Sequence, residues 1–408
     1  MRISSQQFLT MNVSTMTDQQ AQLSQLYQEI SSGVSLSTPS DNPLGAAQAV
    51  QLSATAATLS QYASNQDAAL GSLTQEDSVL GSVNTVLQSI QTLALRAGDS
   101  SLSNANRASM ATQLTSLRSQ LVTLANSTDQ QGNFLFSGFQ GASQPFTTDA
   151  GGNIVYAGDT GTRTMRVSDA AMVPTADNGE SVFRSVASIG TSAVAAGSSG
   201  NTGTGVISTV STTDPTNPAN GDIYTITFGG GTPASTYTVD QTDATGVTTP
   251  GTAQPFTPGA ITLGGQSVTI SGAPAAGDTF SVTPAVRGST DVFANLSSLI
   301  SVLQQPVSGQ AASANLQNAV NTGLTQLENT MNNVTTVRAS VGGREQEVQA
   351  LQTVTQTNTL QTQTGLSTLT STNMTQAISR YTLTQTSLQA AQQAFVKVQN
   401  LSLFQYLN

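Results

Sequence analysis

The chain has 408 residues, of which only 8% are charged, and a net charge of −10; soluble domains usually carry about 25% charged residues. Lys397 is its sole lysine, so it lacks the clustered positive charge that binding a nucleic-acid backbone requires. It contains no Cys, His or Trp, which excludes disulfides, Cys/His zinc sites and histidine-based acid–base catalysis.

The N-terminus, MRISSQQFLTMNVSTM, has one Arg but no continuous apolar run, so no secretory signal is expected. No run of 18 apolar residues is present to span a membrane. Those features point to the cytoplasm, whereas the Ser/Thr-rich, lysine-poor composition resembles that of extracellular surface proteins; export without cleavage would reconcile the two. Leu9, Val13, Met16, Leu23, Tyr27 and Ile30 fall on alternating steps of four and three, with Gln20 at the one polar position. This spacing predicts a helix with a heptad seam.

The loop ISSGVSLSTPSDNPLGAAQAV, Ile30 to Val50, comes next. Gly33 can take positive φ and end the first helix. Beyond Pro39, Asp41 or Asn42 can cap the next, with Pro43 pre-set at its first position. The loop therefore reads as a joint between the terminal helix and the helix after it, with no catalytic role. Further helices are expected over about 43–97, 103–129 with Ser103 as N-cap, 291–304 and 311–370.

The middle of the chain, about 134–287, reads as strands. NIVYAGDTGTRTMRV places a Gly-Asp turn between two β-rich runs and predicts a hairpin. GDIYTITF (Gly221 to Phe228) and GDTFSVT (Gly277 to Thr283) share a Gly-Asp turn followed by alternation, as related strands of one small β domain would. Near the other end, Met374, Ala377, Tyr381, Thr384, Leu388, Ala391, Phe395 and Val398 form a second heptad seam. Between Ile3 and Gln28 only Asp18 is charged, and between Val348 and Val396 only Arg380. Helices whose polar faces are Gln, Thr, Ser and Asn can pack against copies of themselves without like-charge repulsion or buried unpaired charge.

The fold expected is mainly α with a β insertion. It is an elongated helical rod of paired N- and C-terminal helices, bearing a β-hairpin and an inserted small β domain. The expected division is 1–33 with 371–408 as a terminal coiled coil, 34–185 with 288–370 as a helical rod, and 186–287 as the β insert. Neither a phosphate-binding GxxxxGK nor GxSxG occurs. Glu76/Asp77 and Glu345/Glu347 are the acidic neighbours. Glu345 and Glu347 do not face each other on a helix, so both pairs read as structural or solvated, and no catalytic, cofactor or metal site is expected.

The loop after the first helix resembles the corresponding segment of bacterial flagellins and, within that family, of the hook–filament junction branch. The start MRISSQQF, GNFLFSGFQ (Gly132 to Gln140) with the VYAGDTGTRTMRV stretch, and the end LSLFQYLN (Leu401 to Asn408) agree. Family members often carry basic residues after the loop glycine; this chain has Val34, Ser35 and Leu36. The resemblance covers about 1–185 and 288–408 and implies a non-enzymatic building block without a cofactor. Such a subunit is exported through the flagellar type III channel without cleavage and self-assembles outside the cell as a ring. The implied partners are copies of itself, the first hook-associated junction protein, flagellin, and an export chaperone on the C-terminal helix. By position, the inter-subunit contacts fall to Leu9, Val13, Met16, Leu23, Tyr27 and Ile30. At the C-terminus they fall to Met374, Tyr381, Leu388, Phe395, Val398, Leu401, Leu403 and Phe404. Competing readings are a flagellin filament subunit, a secreted adhesin or carbohydrate-binding protein acting through the insert, and a carboxylate-only hydrolase, which the motif search disfavours.

Overall fold

The computed structural model describes residues 5–36, 38, 42–99, 101–129, 131–187 and 189–404. It is mainly helical, with small antiparallel sheets between the helices. Three helices come first: α1 (Ser5–Ser32), α2 (Pro43–Ala97) and α3 (Asn104–Ala125). Their ends obey the chemistry expected of them. Gly33, at φ 73°, closes α1. The Asn42 side chain accepts from the Gly45 N–H at 3.0 Å at the start of α2, and Ser103 accepts from Asn106 N–H at 3.2 Å at the start of α3. Pro39 and Asp41 lie outside the described residues, so Asn42 is the cap that is seen.

Four short strands come next: β1 (Phe146–Thr148), β2 (Ile154–Tyr156), β3 (Thr164–Arg166) and β4 (Met172–Pro174). The expected hairpin across Gly158-Asp159 does not form. β2 pairs back with β1, and β3 pairs forward with β4. The reason lies in Asp159, whose carboxylate accepts from the N–H groups of Phe139, at 3.0 Å, and Gly161, at 2.7 Å. That ties the turn to the preceding loop instead of closing it on itself. Asp149 supplies the tight turn between β1 and β2 by accepting from Gly151 and Asn153 N–H, each at 2.8 Å.

A one-turn helix, α4 (Gly179–Phe183), leads into the β insert. There β5 (Val194–Gly197), β6 (Val206–Ile207), β7 (Ser211–Thr212), β8 (Ile223–Gly229), β9 (Thr236–Thr242), β10 (Thr248–Thr249) and β11 (Gln254–Pro255) come first. They are succeeded by β12 (Ala260–Leu263), β13 (Gln266–Ser271) and β14 (Thr279–Thr283). The two related strands are neighbours: β14 pairs with β8 in the sheet ordered β10-β9-β8-β14-β5. Along β8 every second residue, Tyr224, Ile226 and Phe228, is buried, as a half-covered strand requires. The chain then returns through α5 (Val292–Gln304), α6 (Gln310–Thr370) and α7 (Met374–Phe404).

Contacts divide the chain into two units, residues 1–64 with 352–408, and residues 65–351. The larger unit has a continuous core in which Leu73, Leu80, Leu87 and Ile90 of α2 meet Leu114 and Leu121 of α3, Leu296 and Leu303 of α5, and Val334 and Val341 of α6. Phe136, Phe146, Phe183 and Phe293 close its aromatic end, with centroids 5.1–5.9 Å apart and edge-on or tilted rings. The insert has its own core around Ile226, Phe280 and Ile270. It is fastened to α6 by amides. Asn318 Oδ1 accepts from Ile207 N–H at 3.0 Å, and Asn329 exchanges two bonds with Ser192, each 2.8 Å. Asn333 donates to the Ser181 and Val182 carbonyls near α4. These buried side chains complete backbone groups that no strand satisfies.

Candidate functional site

The smaller unit holds the terminal seams. On α7 the inward stripe is the expected one: Ala377 and Leu388 are buried, and Tyr381, Thr384, Ala391 and Phe395 are half-buried. Met374, at the helix start, is 44% exposed. On α1 the stripe is turned by one residue. Met16, Leu23 and Ile30 are half-buried as expected, but Asn12, Gln19 and Leu26 share the contact with α7. Val13 and Tyr27 instead point to solvent, 49% and 64% exposed. Both registers place a Gln in the polar step and share three residues, so spacing alone does not separate them. A groove of about 490 Å³ opens beside the seam, lined by Val13, Met16, Gln20, Ala21 and Phe395. Leu9, Val398, Leu401, Leu403 and Phe404 belong to α1 and α7 by their backbone, and their side chains lie outside the described part.

The joint involves a partner that the sequence reading missed. α6 ends at Thr370 and α7 begins at Met374, and this second break pairs with the loop after α1. Ser35 N–H donates to the Thr370 carbonyl at 2.8 Å, Thr372 N–H donates to the Gly33 carbonyl at 2.9 Å, and Val34 and Ser371 form an antiparallel bridge. Each break restarts on an asparagine: Asn373 accepts from Gln376 N–H at 3.2 Å, as Asn42 does from Gly45. Val34 therefore acts through its backbone, and Ser35 through its backbone and its hydroxyl, which donates to the Thr370 carbonyl at 3.3 Å. The available signal was the TSTNM stretch, a cluster of turn formers between two helical runs.

The seams of the smaller unit are thin. Near the joint α2 offers Ala49, Leu52, Ala56 and Leu59, and α6 offers Thr355, Thr359, Thr362 and Leu366. Large apolar side chains on the other faces have no cover: Met11, Leu44, Val50, Val354, Leu360, Ile378, Leu383 and Val396 are all more than half exposed. Six charged residues fall in this unit, Arg2, Asp18, Glu29, Asp41, Arg380 and Lys397, and they sum to zero. Its hydroxyls are also turned inward along the helix. Thr15, Thr17, Thr357, Thr364, Thr368, Thr382 and Thr386 each donate to the carbonyl four residues back, at 2.8–2.9 Å. A threonine bonded in this way already has its donor satisfied, so covering it with another apolar surface costs little desolvation.

Among the described residues no cluster of acidic side chains could hold a metal ion, and no helix is long and apolar enough to cross a membrane. Glu345 and Glu347 lie in the interior of α6, away from its ends. Of the two readings left for the acidic neighbours, structural or solvated, Glu76 takes the structural one, being fully buried, whereas Asp77 makes a two-pronged, partly exposed ion pair with Arg338 at 3.0 and 3.1 Å.

Residues 3–141 match the bacterial flagellin N-terminal helical region. Over 188 residues, 46% of this chain and 58% of the relative, the sequence is 38% identical to flagellar hook-associated protein 3 of Salmonella typhimurium. It is 27% identical to flagellar hook-associated protein 3 of Escherichia coli over 99% of both chains. Among solved structures, Xanthomonas campestris FlgL superposes with a TM-score of 0.67 at 26% identity, covering 76% of this chain and 98% of that one. Flagellar hook associated protein-3 from Legionella pneumophila gives 0.69 at 25% identity, covering 78% and 98%. Full-length likeness, the helical N-terminal match and the paired terminal helices agree: the chain belongs to the flagellin-related family of flagellar hook-associated proteins 3.

Proposed function

We propose that the chain is a non-enzymatic structural subunit of the extracellular flagellum, placed at the hook–filament junction, where it assembles side by side with copies of itself through its terminal helices. The observation that carries this reading is the uncovered apolar, nearly charge-free surface of α1, α7 and the adjoining ends of α2 and α6. Covering one Leu, Val or Tyr is worth about 1.5–3 kcal/mol, so a few such contacts per neighbour hold an assembly together. Val13, at the groove it shares with Phe395, and Tyr27, exposed to solvent, are on this account inter-subunit contacts together with Leu383 and Ile378. Leu401, Leu403 and Phe404, on the last turn of α7, are assigned to the same contacts by their position in the chain.

Toward the hook the neighbour is the first hook-associated junction protein, and toward the filament it is flagellin. Before export a chaperone covers α7, whose exposed apolar residues would otherwise drive premature association. On this reading the chain works as a terminal coiled-coil assembly domain (1–33 with 371–408), a helical rod with a β-hairpin (34–185 with 288–370) and an inserted β domain (186–287); the helix breaks after Ser32 and Thr370 support the first boundary. Removing residues 374–408, which contain α7, tests it. Cells making the truncated chain should build hooks and shed flagellin as monomer; filaments that stay attached would refute the role of α7.

A further inference from the structure

Within the larger unit, Glu76 of α2 is fully buried. Its Oε1 accepts from the Asp177 N–H at 2.9 Å, and its Oε2 is enclosed without a hydrogen-bond donor. The segment that covers it, residues 174–178, is pinned from α6 by Arg344. That guanidinium pairs with the Asp177 carboxylate and donates to the Pro174 carbonyl at 3.3 Å. Two carboxylates thus share one guanidinium, and Asp177 holds it. The next ion pair along α2 and α6, Asp77 with Arg338, is already neutral. An ionised Glu76 would be a buried charge without a counter-charge, which is costly enough that the group keeps its proton instead.

We infer that Glu76 is a proton-holding latch: its neutral carboxyl fastens the 174–178 segment to α2 and α6, and loss of the proton loosens that closure. Burial first, and the facing Asp177 carboxylate second, push its pKa from 4.5 up to about 8, against the pull of the Asp177 N–H and Arg344. In the unfolded chain the group titrates in the ordinary glutamate range. Below that range both states carry the proton and stability does not change through this group. Between the two values the folded chain holds one proton more, so the ratio of folded to unfolded chains falls about tenfold per pH unit as pH rises. Above about 8 the loss is complete.

The composition makes this unusually clean to test. The chain has no histidine or cysteine, so no other side chain with an ordinary pKa titrates between about pH 5.5 and 7. Urea unfolding of the full-length protein at about pH 6.5 in weak buffer, monitored with a pH indicator, should release about one proton per chain. Glu76→Gln, which keeps the shape without the proton, should release none and should lose the tenfold-per-unit slope of stability. Asp177→Asn removes the facing charge and leaves Arg344 beside Glu76. It should lower the Glu76 pKa and shrink both effects, so the proposal stays testable if the glutamine variant does not fold. No proton release from the wild type, or equal release from a folded Glu76→Gln variant, would overturn the latch.

Discussion

The two units solve the same problem, pairing an ascending helix with a descending one, with opposite means. In residues 65–351 the helix pair is covered by α3, α5, the aromatic end and the insert, and the apolar side chains close on one another. In residues 1–64 with 352–408, Ala49, Ala377 and Leu388 are the buried apolar residues among those described. Twelve of the nineteen large apolar side chains left exposed in the described chain belong to this smaller unit, although it is far the shorter. Charge divides the same way: the smaller unit sums to zero, so the whole net charge of −10 resides in the larger. One unit is finished as a monomer, and the other has the surface of a protein interior awaiting its neighbours.

Four perturbations would break or sharpen that contrast. The largest effect is expected for Phe183→Ala, which opens the aromatic cluster of the larger unit. It should cost about 3–5 kcal/mol in urea unfolding, and association measured well below the melting temperature should not change. Tyr27→Lys or Leu383→Glu should do the reverse. Monomer stability should stay within about 0.5 kcal/mol, while loss of one buried contact, about 1.5–3 kcal/mol, should weaken self-association roughly 10- to 150-fold in sedimentation. A smaller loss is expected for Gly33→Ala. At φ 73° a side chain costs about 1–2 kcal/mol, and the damage should appear in the melting of the joint rather than of the larger unit. Salt should matter least: with so few charges at the terminal surface, raising ionic strength from about 0.05 to 0.5 M should change association less than a few-fold. A steep salt dependence would mean that charge, not apolar surface, drives it.

Helices were legible in the sequence because their ends are local. Ser103, Asn42 with Pro43, and Gly33 each act within three or four residues, and the structure uses them all. Strand pairing was not, because three-residue strands choose partners through distant groups: Asp159 turns the chain toward Phe139, 20 residues back. The seam of α7 was legible, since one apolar stripe dominates it. That of α1 was only half legible, since Leu26 and Tyr27 compete for the same step and the geometry of α7 decides. The exposure of Val13 and Tyr27 is the part of the candidate site that spacing hid. Charge depletion was its visible part. Asn318, Asn329 and Asn333 carry no local signal of their burial, and nothing near Glu76 in sequence decides between a structural and a solvated role, because the segments that cover them arrive from 101 or more residues away.

Amide hydrogen exchange, compared between dilute monomer and assembled protein, tests the central claim most directly. In the monomer the amides of residues 5–32 and 374–404 should exchange far faster than the core amides of α3 and α5, and in the assembly they should become comparably protected. Equal protection of α1, α7 and the larger unit in the dilute monomer would contradict the account, since the terminal pair would then be complete without neighbours.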